Sequence, residues 1–383
     1  MFSPALLQQF ENKETPFYYY DMGLLNQTLD QVKQYAQQYD FHVHYALKAN
    51  FNEPILKAIR NKGFGADCVS GNEVLKAIEV GFAPSHVVFA GVGKTDKEIL
   101  TALKYDIFCF NCESIPEIEV INQLAAQTHK KAHIAVRINP NVEANTHKYI
   151  TTGLSENKFG INLDKLEDVL ATIRQCENIN LVGIHFHIGS QIRDLENFKQ
   201  LCQRINEIQA WFENQQIKLT EINVGGGLGI NYQDPDGEPI ADFKNYFGLF
   251  AQHLQRRPHQ RIHFELGRAI VAQCGSLISR VIYVKNGVSK NFAILDAGMT
   301  ELIRPALYQA YHKIENLSAT TTQETLKYDV VGPVCESSDF FGKDIELPLT
   351  QRNDLIAIRS AGAYGEVMTS FYNLREKAGV IYQ

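Results

Sequence analysis

The sequence Tyr45-Ala46-Leu47-Lys48-Ala49-Asn50 follows a strand-like apolar run at residues 41–44 and precedes a helix-like segment that starts near Glu53. A lysine at the carboxyl end of an apolar strand lies where a barrel enzyme keeps its chemistry. Burial there disfavours the ammonium form and lowers the pKa of a lysine, as covalent catalysis by its amine requires. An isolated lysine more often begins a surface loop, so the interpretation of Lys48 depends on the rest of the chain.

Between about residues 22 and 268, short apolar runs alternate with segments of helical periodicity, such as residues 72–80, 97–103 and 197–212. Eight strand–helix units in roughly 250 residues predict an α/β fold, a (β/α)8 TIM barrel. A doubly wound open sheet is the alternative, but it more often has fewer strands and a glycine-rich first turn. The predicted strands are residues 43–48, 65–69, 87–91, 107–111, 132–138, 181–188, 221–225 and 261–265.

The pattern changes after Arg268, where apolar or alternating runs are separated by short turns and little helix. This pattern predicts a β-rich C-terminal domain with strands at residues 271–284, 292–296, 326–331 and 354–359. The run Phe17-Tyr18-Tyr19-Tyr20 could add a strand to the same domain. We therefore expect a barrel domain at 22–268 and a β-rich domain made of 1–21 with 269–383. Residues 313–325 are typical of a flexible loop.

The carboxyl ends of the barrel strands should converge, because a barrel keeps its active site on that face. The third and fourth strands offer no clear chemical group. The other ends carry, in chain order, Lys48, Asp67, Arg137, His187 with Ser190, the glycines 225–227, and Glu265 with Arg268.

The glycine triplet Gly225-Gly226-Gly227 lets backbone N–H groups approach an anion closely, because no Cβ intervenes. A phosphate held after the seventh strand is a recurrent barrel arrangement. Glycine triplets also occur in plain loops, so the triplet alone decides nothing. Ser190 and Arg268 as additional side-chain donors favour a phosphate site.

Glu265 and His187 each have a purely structural interpretation, as a buried carboxylate paired with Arg268 and as a satisfied core histidine. Glu265 at a strand end would also stabilise a protonated heteroaromatic nitrogen. His187, just before a Gly-Ser pair, would be able to stack on a flat cofactor. A lysine, a glycine loop, a carboxylate and a histidine in these places together predict a site for pyridoxal 5'-phosphate.

The composition is that of an ordinary globular protein and argues against several classes. A net charge of −6 without a Lys/Arg-rich tract gives no surface for nucleic acid. We see no signal peptide, and no apolar run approaches the ~20 residues that span a bilayer. Seven scattered cysteines argue against a disulfide framework and for a reducing cytoplasm. Cys109 and Cys112 form a C-x-x-C, in which we expect two packed thiols rather than a metal or redox pair.

Over nearly the whole chain these motifs resemble those of the fold-type III pyridoxal-phosphate-dependent decarboxylases. The hexapeptide around Lys48 resembles the cofactor-lysine motif of that family. HIGSQI at 187–192 and DAGM at 296–299, followed by LIRPALY at 302–308, are specific matches to its diaminopimelate branch. Other matching motifs are GADCVSG at 65–71, ENKFG at 156–160, GPVCES at 332–337 and AGAYG at 361–365.

The resemblance implies a role for each matching residue. Lys48 carries the cofactor, His187 stacks on its ring, and Glu265 pairs with the ring nitrogen. Cys335 returns a proton to the carbon that loses CO2, and Glu336 faces the distal amino end of the substrate; both would enter from the partner subunit of a homodimer with shared active sites. Further cofactor contacts are assigned to Asp67, Ser190, Gly225, Gly226, Gly227, Arg268 and Tyr372, and substrate contacts to Arg268, Arg304, Tyr308, Glu336 and Tyr372.

The implied reaction converts meso-2,6-diaminopimelate to L-lysine and CO2, the last step of lysine biosynthesis. The alternatives are a related decarboxylase of ornithine, arginine or carboxynorspermidine, a racemase, or a non-catalytic pyridoxal-phosphate-binding protein. Glu265 argues against a racemase, which typically places arginine at the ring nitrogen, and retention of Cys335 argues against a non-catalytic binder. Three positions depart from the family pattern, namely Leu266 for proline and Ser338 and Asn72 for glycine, and a short C-terminal tail of many members is missing. None removes a chemical group.

Overall fold

The computed structural model describes residues 2–142, 158–319 and 324–383. The chain forms two compact units, each assembled from separate stretches of sequence. The first, which we call the barrel unit, consists of Leu29–Gly229 and Asp242–Gly267. The second, which we call the sheet unit, consists of Met1–Thr28, Ile230–Ala241 and Arg268–Gln383. The segment Ile230–Ala241 thus belongs to the sheet unit although it lies between two stretches of the barrel unit.

The barrel unit is built on a closed barrel of eight parallel strands, which confirms the predicted fold class. The strands follow one another around the barrel in chain order, and the last pairs with the first. Each of the eight strands ends one to three residues from its predicted end. The two differences that bear on the site are that the first strand stops at Ala46, before Lys48, and the sixth stops at His185, before His187. The strands are Phe41–Ala46, Gly65–Cys68, Val87–Phe89, Cys109–Cys112, Ala132–Arg137, Ile179–His185, Glu221–Asn223 and Arg261–Leu266.

Helices alternate with these strands, and their first turns are fixed by side-chain caps. Ser70 and Ser114 each accept the N–H of the residue three positions on, and Thr95 forms a reciprocal capping box with Glu98. No helix in the described part of the chain is long and apolar enough to cross a membrane. The helices are Glu53–Asn61, Gly71–Val80, Asp96–Lys104, Ile115–Gln127, Leu166–Gln175, Glu196–Asn214 and Phe243–His253, with Met22–Gln38 preceding the barrel and short 3-10 turns at Leu47–Ala49, Pro84–His86 and Leu163–Lys165.

The sheet unit contains an eight-stranded sheet. Phe17–Tyr20 lies between Gly275–Asn286, with which it pairs antiparallel, and Gly379–Tyr382, with which it pairs parallel. The remaining strands are Asn291–Leu295, Ile314–Asn316, Thr325–Val331, Phe340–Pro348 and Leu355–Ile358, and the helices are Pro4–Glu11, Arg268–Val271 and Arg304–Tyr308, with 3-10 turns at Glu366–Met368 and Tyr372–Leu374.

The predicted strands of this unit are found, with two corrections. Residue 271 ends a short helix, and the strand predicted from there begins at Gly275 because the intervening residues form a tight turn. The segment 313–325, predicted as a loop, contains the strand Ile314–Asn316, which pairs with Leu355–Ile358. Residues 320–323 of that segment lie outside the described ranges, as do residues 156 and 157 of the ENKFG motif.

Candidate active site

Lys48 lies in the 3-10 turn Leu47–Ala49, immediately beyond the first barrel strand. Its Nζ is 3.6 Å from Oδ2 of Asp67 at the end of the next strand, so the two predicted residues do meet. Within the described residues both carboxylate oxygens of Asp67 are buried and accept no hydrogen bond. Burial and then the charge of Glu265 raise the pKa of Asp67, while Lys48 lowers it. The pair therefore places the partly exposed amine of Lys48 beside the buried carboxylate of Asp67.

Glu265 on the eighth barrel strand is held by three hydrogen bonds, from side chains on the fourth, sixth and seventh strands. Oε1 accepts from Nδ2 of Asn111 at 2.9 Å and from Nδ2 of Asn223 at 2.7 Å. Oε2 lies 2.9 Å from Nε2 of His185. Burial raises the pKa of Glu265, but His185 and Lys48 outweigh burial and lower it well below its usual range. The carboxylate is consequently ionised and fixed in orientation.

His187 follows the sixth strand and is partly exposed. Its Nδ1 accepts the N–H of Gly226 at 3.3 Å, which leaves the ring proton on Nε2 in the neutral form. Burial, together with the positive charges of Arg137 and Lys48, holds the pKa of His187 well below its usual value. The side chain is therefore a neutral imidazole, which suits it to stacking on a flat ring rather than to pairing with an anion.

The glycines 225–227 form a turn that only glycine fits. Gly225 and Gly227 have φ values of +73° and +114°. A Cβ on Gly226 would lie 1.9 Å from the carbonyl oxygen of Glu265, and one on Gly225 would lie 2.1 Å from that of Phe186. The N–H of Gly225 donates to Oδ1 of Asn223, and that of Gly226 donates to His187. Among the described residues, Gly227 is thus the member of the triplet whose N–H remains available.

These groups fit pyridoxal phosphate. Lys48 offers an amine for the aldehyde, His187 offers a flat neutral ring, and Glu265 offers an ionised partner for the ring nitrogen. The N–H of Gly227 and the half-buried Ser190, three residues beyond His187, are suitable donors for a phosphate. The unsatisfied oxygens of Asp67 are consistent with a polar group that the cofactor would supply.

In the sheet unit, Arg268 and Arg304 lie in one buried cluster around Tyr232. Nη1 of Arg268 donates to Oη of Tyr232 at 2.6 Å, and the Arg304 guanidinium lies 5.5 Å from the centre of the same ring. Nε of Arg304 donates to Nε2 of His312 at 3.2 Å. Arg304 has no carboxylate partner in the described ranges, so its guanidinium is a buried positive charge that an anionic ligand would neutralise. Tyr308 ends the short helix that begins at Arg304.

A second group of predicted residues in the sheet unit surrounds Cys335, which is the exposed cysteine among the described residues. Its N–H donates to Oδ1 of Asn373 at 3.4 Å. Oη of Tyr372 donates to Oε1 of Glu336 at 2.7 Å, and this contact raises the pKa of Tyr372. Cys109 and Cys112, by contrast, are free buried thiols, as expected.

Several residues of these clusters are absent from the sequence prediction. The prediction that the fourth strand offers no clear chemical group is wrong, because the side chain of Asn111 on that strand donates to Glu265. The sequence feature that could identify Asn111 is a polar residue inside the apolar run Cys109–Cys112. Asn223 and His185 were visible at the ends of predicted strands but received no role. No sequence pattern marks Tyr232, since it lies in a segment without regular structure that belongs to the sheet unit.

Comparison with known proteins identifies the family of the chain. Residues 25–272 match the family model described as the pyridoxal-binding domain of pyridoxal-dependent decarboxylases. Diaminopimelate decarboxylase of Bacteroides thetaiotaomicron is 56% identical over 97% of this chain and 96% of its own. The enzyme of the same name from Aquifex aeolicus is 38% identical over 96% and 86%.

Among solved structures, diaminopimelate decarboxylase from Helicobacter pylori complexed with L-lysine superposes with a TM-score of 0.92. It is 40% identical, and the match covers 98% of this chain and 93% of that one. The extent and identity of these matches show that the chain belongs to the diaminopimelate decarboxylase family of pyridoxal-dependent decarboxylases.

Proposed function

We propose that this enzyme catalyses the pyridoxal-phosphate-dependent decarboxylation of meso-2,6-diaminopimelate to L-lysine and CO2. The observation that carries the chemistry is Glu265, an ionised carboxylate fixed by three donors at the end of a barrel strand. The substrate is supported by the named relatives and by the lysine complex of the Helicobacter pylori enzyme.

Bound pyridoxal phosphate supplies an electron sink for the pair of electrons left behind by CO2. The residues of the chain keep the bound cofactor in place and keep its ring nitrogen protonated. Lys48 anchors the cofactor, and Glu265 keeps a proton on the ring nitrogen because its own negative charge stabilises the cation. His187, being neutral, packs against the ring without competing for that proton. Ser190 and the glycines 225–227 hold the phosphate, with help from Tyr372, and Asp67 adds a polar contact.

The substrate roles rest on the two clusters of the sheet unit. Arg268 and Arg304 bind substrate carboxylates through charge-assisted hydrogen bonds, with Tyr308 beside them. Holding the departing carboxylate in one orientation lowers the barrier by preorganisation. Cys335 donates the proton that replaces CO2, and Glu336 recognises the distal amino group.

We also propose the assembly and the location in the cell. Residues 22–268 form the catalytic domain, and 1–21 with 269–383 complete its site and form the interface of a homodimer. Exposed apolar side chains lie beside the Cys335 segment, with Phe371 at 70% and Leu374 at 94% exposure, as expected of a surface that another subunit covers. The free cysteines favour the cytoplasm, where the enzyme would complete lysine biosynthesis.

Turnover on a panel of substrates tests the function. Purified protein with pyridoxal phosphate should release equal amounts of lysine and CO2 from meso-diaminopimelate and should turn over ornithine, arginine and carboxynorspermidine far more slowly. Borohydride should fix the cofactor to the peptide that contains Lys48, as read by mass spectrometry, and Lys48→Ala should prevent this. Absence of lysine would reject the assignment, and faster turnover of another substrate would favour that alternative.

A mixing experiment tests the shared site. Lys48→Ala and Cys335→Ala subunits are each expected to be inactive alone. If Cys335 enters from the partner subunit, then a mixed dimer contains one site with both residues intact, and mixing restores activity. No restoration after verified subunit exchange would place both residues in the same subunit's site.

A further inference from the structure

Asp339 is a buried carboxylate directly after the exposed segment Cys335–Ser338. Its side chain and main chain are 4% exposed, whereas each residue from Cys335 to Ser338 is exposed. Asp339 lies only four residues from the cysteine. An exposed reactive segment next to a deeply buried charged group requires a physical explanation.

The carboxylate joins two separate loops. Oδ1 accepts the N–H of Met299 at 2.6 Å, and Oδ2 accepts the N–H of Val334 at 2.7 Å. Val334 precedes Cys335, and Met299 belongs to the DAGM motif. One side chain therefore fixes the start of the cysteine segment to a distant part of the sheet unit.

The main chain of Asp339 closes the same segment. Its N–H donates to the carbonyl of Glu336 at 3.0 Å, and its carbonyl accepts the N–H of Gly332 at 3.1 Å. Cys335 and Glu336 thus lie in a loop that is fastened at Gly332 and Val334 on one side and at Asp339 on the other. A loop held in this way has few alternative conformations available to it.

Two glycines provide the room for this carboxylate. A Cβ on Gly332 would lie 2.4 Å from Oδ2 of Asp339 and 2.5 Å from the Cα of Gly298. A Cβ on Gly298 would lie 2.9 Å from the same oxygen. Neither glycine has a positive φ, so the backbone conformation alone does not require glycine at either position.

The arrangement is costly for stability. Asp339 forms no salt bridge within the described residues, and burial raises its pKa although the two N–H donors and Arg375 lower it. A buried carboxylate without a counter-ion destabilises a fold unless its hydrogen bonds compensate. A neutral side chain would leave at least one of the Met299 and Val334 N–H groups without an acceptor, so the geometry that the carboxylate imposes is the feature that needs explaining.

We propose that Asp339 is a positioning residue that sets the location of Cys335 and Glu336 for proton delivery and substrate recognition. This proposal rests on the function proposed above, in which Cys335 returns the proton. Asp339 does not touch the substrate; it acts through the backbone of Val334. Because a misplacement of about 1 Å can reduce a rate by about 100-fold, its loss should affect proton delivery more than folding.

The test uses the holoenzyme and the isosteric variant Asp339→Asn. An amide has only one oxygen, so one of the two backbone N–H groups would face an NH2 group instead of an acceptor. We expect kcat to fall about 10- to 100-fold and the lysine formed per CO2 released to drop below one. The balance would appear as an aldehyde product, with its amino group left on the cofactor, because the carbon that lost CO2 was not protonated. We also expect alkylation of Cys335 by iodoacetamide to change by at least about 5-fold, as a displaced segment would differ in accessibility. Cys335→Ser gives the background rate.

Two further variants keep the interpretation clear. Gly332→Ala displaces the carboxylate without removing its charge and should reproduce both effects. Asp329→Asn is the matched control, because Asp329 is also a buried carboxylate of the sheet unit, bound to Lys290 at 2.8 Å and to the N–H of Asp344 at 2.9 Å. It should leave the lysine-to-CO2 ratio at one.

A merely structural role would lower lysine and CO2 together, and a ratio that stays at one in Asp339→Asn with an unchanged alkylation rate would overturn the proposal. If the wild-type protein forms no lysine, the proposed function fails instead. The alkylation rates still decide whether Asp339 positions Cys335, since they need no substrate.

Discussion

Asn223 and Glu265 lie on neighbouring barrel strands, and the Asn223 amide donates a hydrogen bond of 2.7 Å to the Glu265 carboxylate. This bond and its counterpart from Asn111 orient the carboxylate that we propose as the partner of the cofactor's ring nitrogen. An ionised carboxylate with a single acceptor geometry is a more effective partner for a protonated nitrogen than one that rotates.

Asn223→Leu should therefore reduce kcat by about 10- to 100-fold, because a hydrogen bond to a charged group contributes about 1.5–3 kcal/mol. The absorbance of bound cofactor should also change its pH dependence, as the ring nitrogen loses its fixed partner. Asn206→Leu is the control, since Asn206 only joins its helix to the backbone of His253 and Gln255. Wild-type kcat in Asn223→Leu would contradict the role of this bond.

Gly226→Ala should abolish tight cofactor binding. The added methyl would lie 1.9 Å from the carbonyl oxygen of Glu265, so the loop must move away from the barrel end. The measurement is the cofactor content after dialysis, with the dissociation constant from titration of the apoenzyme. Gly248→Ala is the matched control, because its methyl meets only Oη of Tyr39 at 3.6 Å within a helix. Equal retention of cofactor in both variants would refute the prediction.

Arg304→Met should raise KM for diaminopimelate by about 10- to 100-fold, the worth of one charge-assisted hydrogen bond. Cofactor content should remain normal, since the role proposed for Arg304 is to bind the substrate. Steady-state kinetics with saturating pyridoxal phosphate provide both numbers. Arg280→Met removes an arginine of the same unit that binds Glu11 and Asn353; its KM should equal that of the wild type. A similar KM in the two variants would exclude Arg304 from the substrate site.

His312 should make the protein less stable as the pH falls. Burial, then the charge of Arg304, lowers its pKa to about 3, well below the ordinary value of 6.5. Between these values the unfolded chain binds a proton that the folded chain does not, so stability is complete above pH 6.5 and declines towards pH 3. The slope is at most about 1.4 kcal/mol per pH unit.

Denaturant unfolding at pH 7.5, 6 and 5 measures this slope. His312→Gln should unfold with a smaller pH dependence than the wild type, whereas His133→Gln, at an exposed position on a barrel strand, should not. The same slope in all three proteins would show that another group controls the acid sensitivity.

The barrel could be predicted because its strands are local apolar runs at regular spacing, and Lys48, His187 and Glu265 follow from their ends. Lys48 and His187 lie beyond the ends of their strands, because the apolar sequence pattern continues into the turns that follow. Asn111 was missed because a single polar residue inside a buried strand has no meaning until the opposite side of the barrel is known.

The sheet unit was harder to predict because its elements depend on distant partners. Phe340–Pro348 was missed since Gly342, Lys343 and Asp344 interrupt its apolar alternation, yet it pairs along Thr325–Val331. Tyr232 joins Arg268 and Arg304 from a segment without regular structure. Asp339 could not be identified from the sequence, because its role depends on the backbone of Met299, forty residues away in sequence.

The strand Phe17–Tyr20 has a consequence for synthesis of the chain. Its partners are residues 275–278 on one side and Gly379–Tyr382 on the other. A ribosome would therefore release an apolar strand long before either neighbour exists, and the whole barrel sequence would follow before the first partner emerges. Unpaired strand edges of this kind are prone to aggregation. The sheet unit is expected to be the last to mature during translation and the first to require chaperone protection.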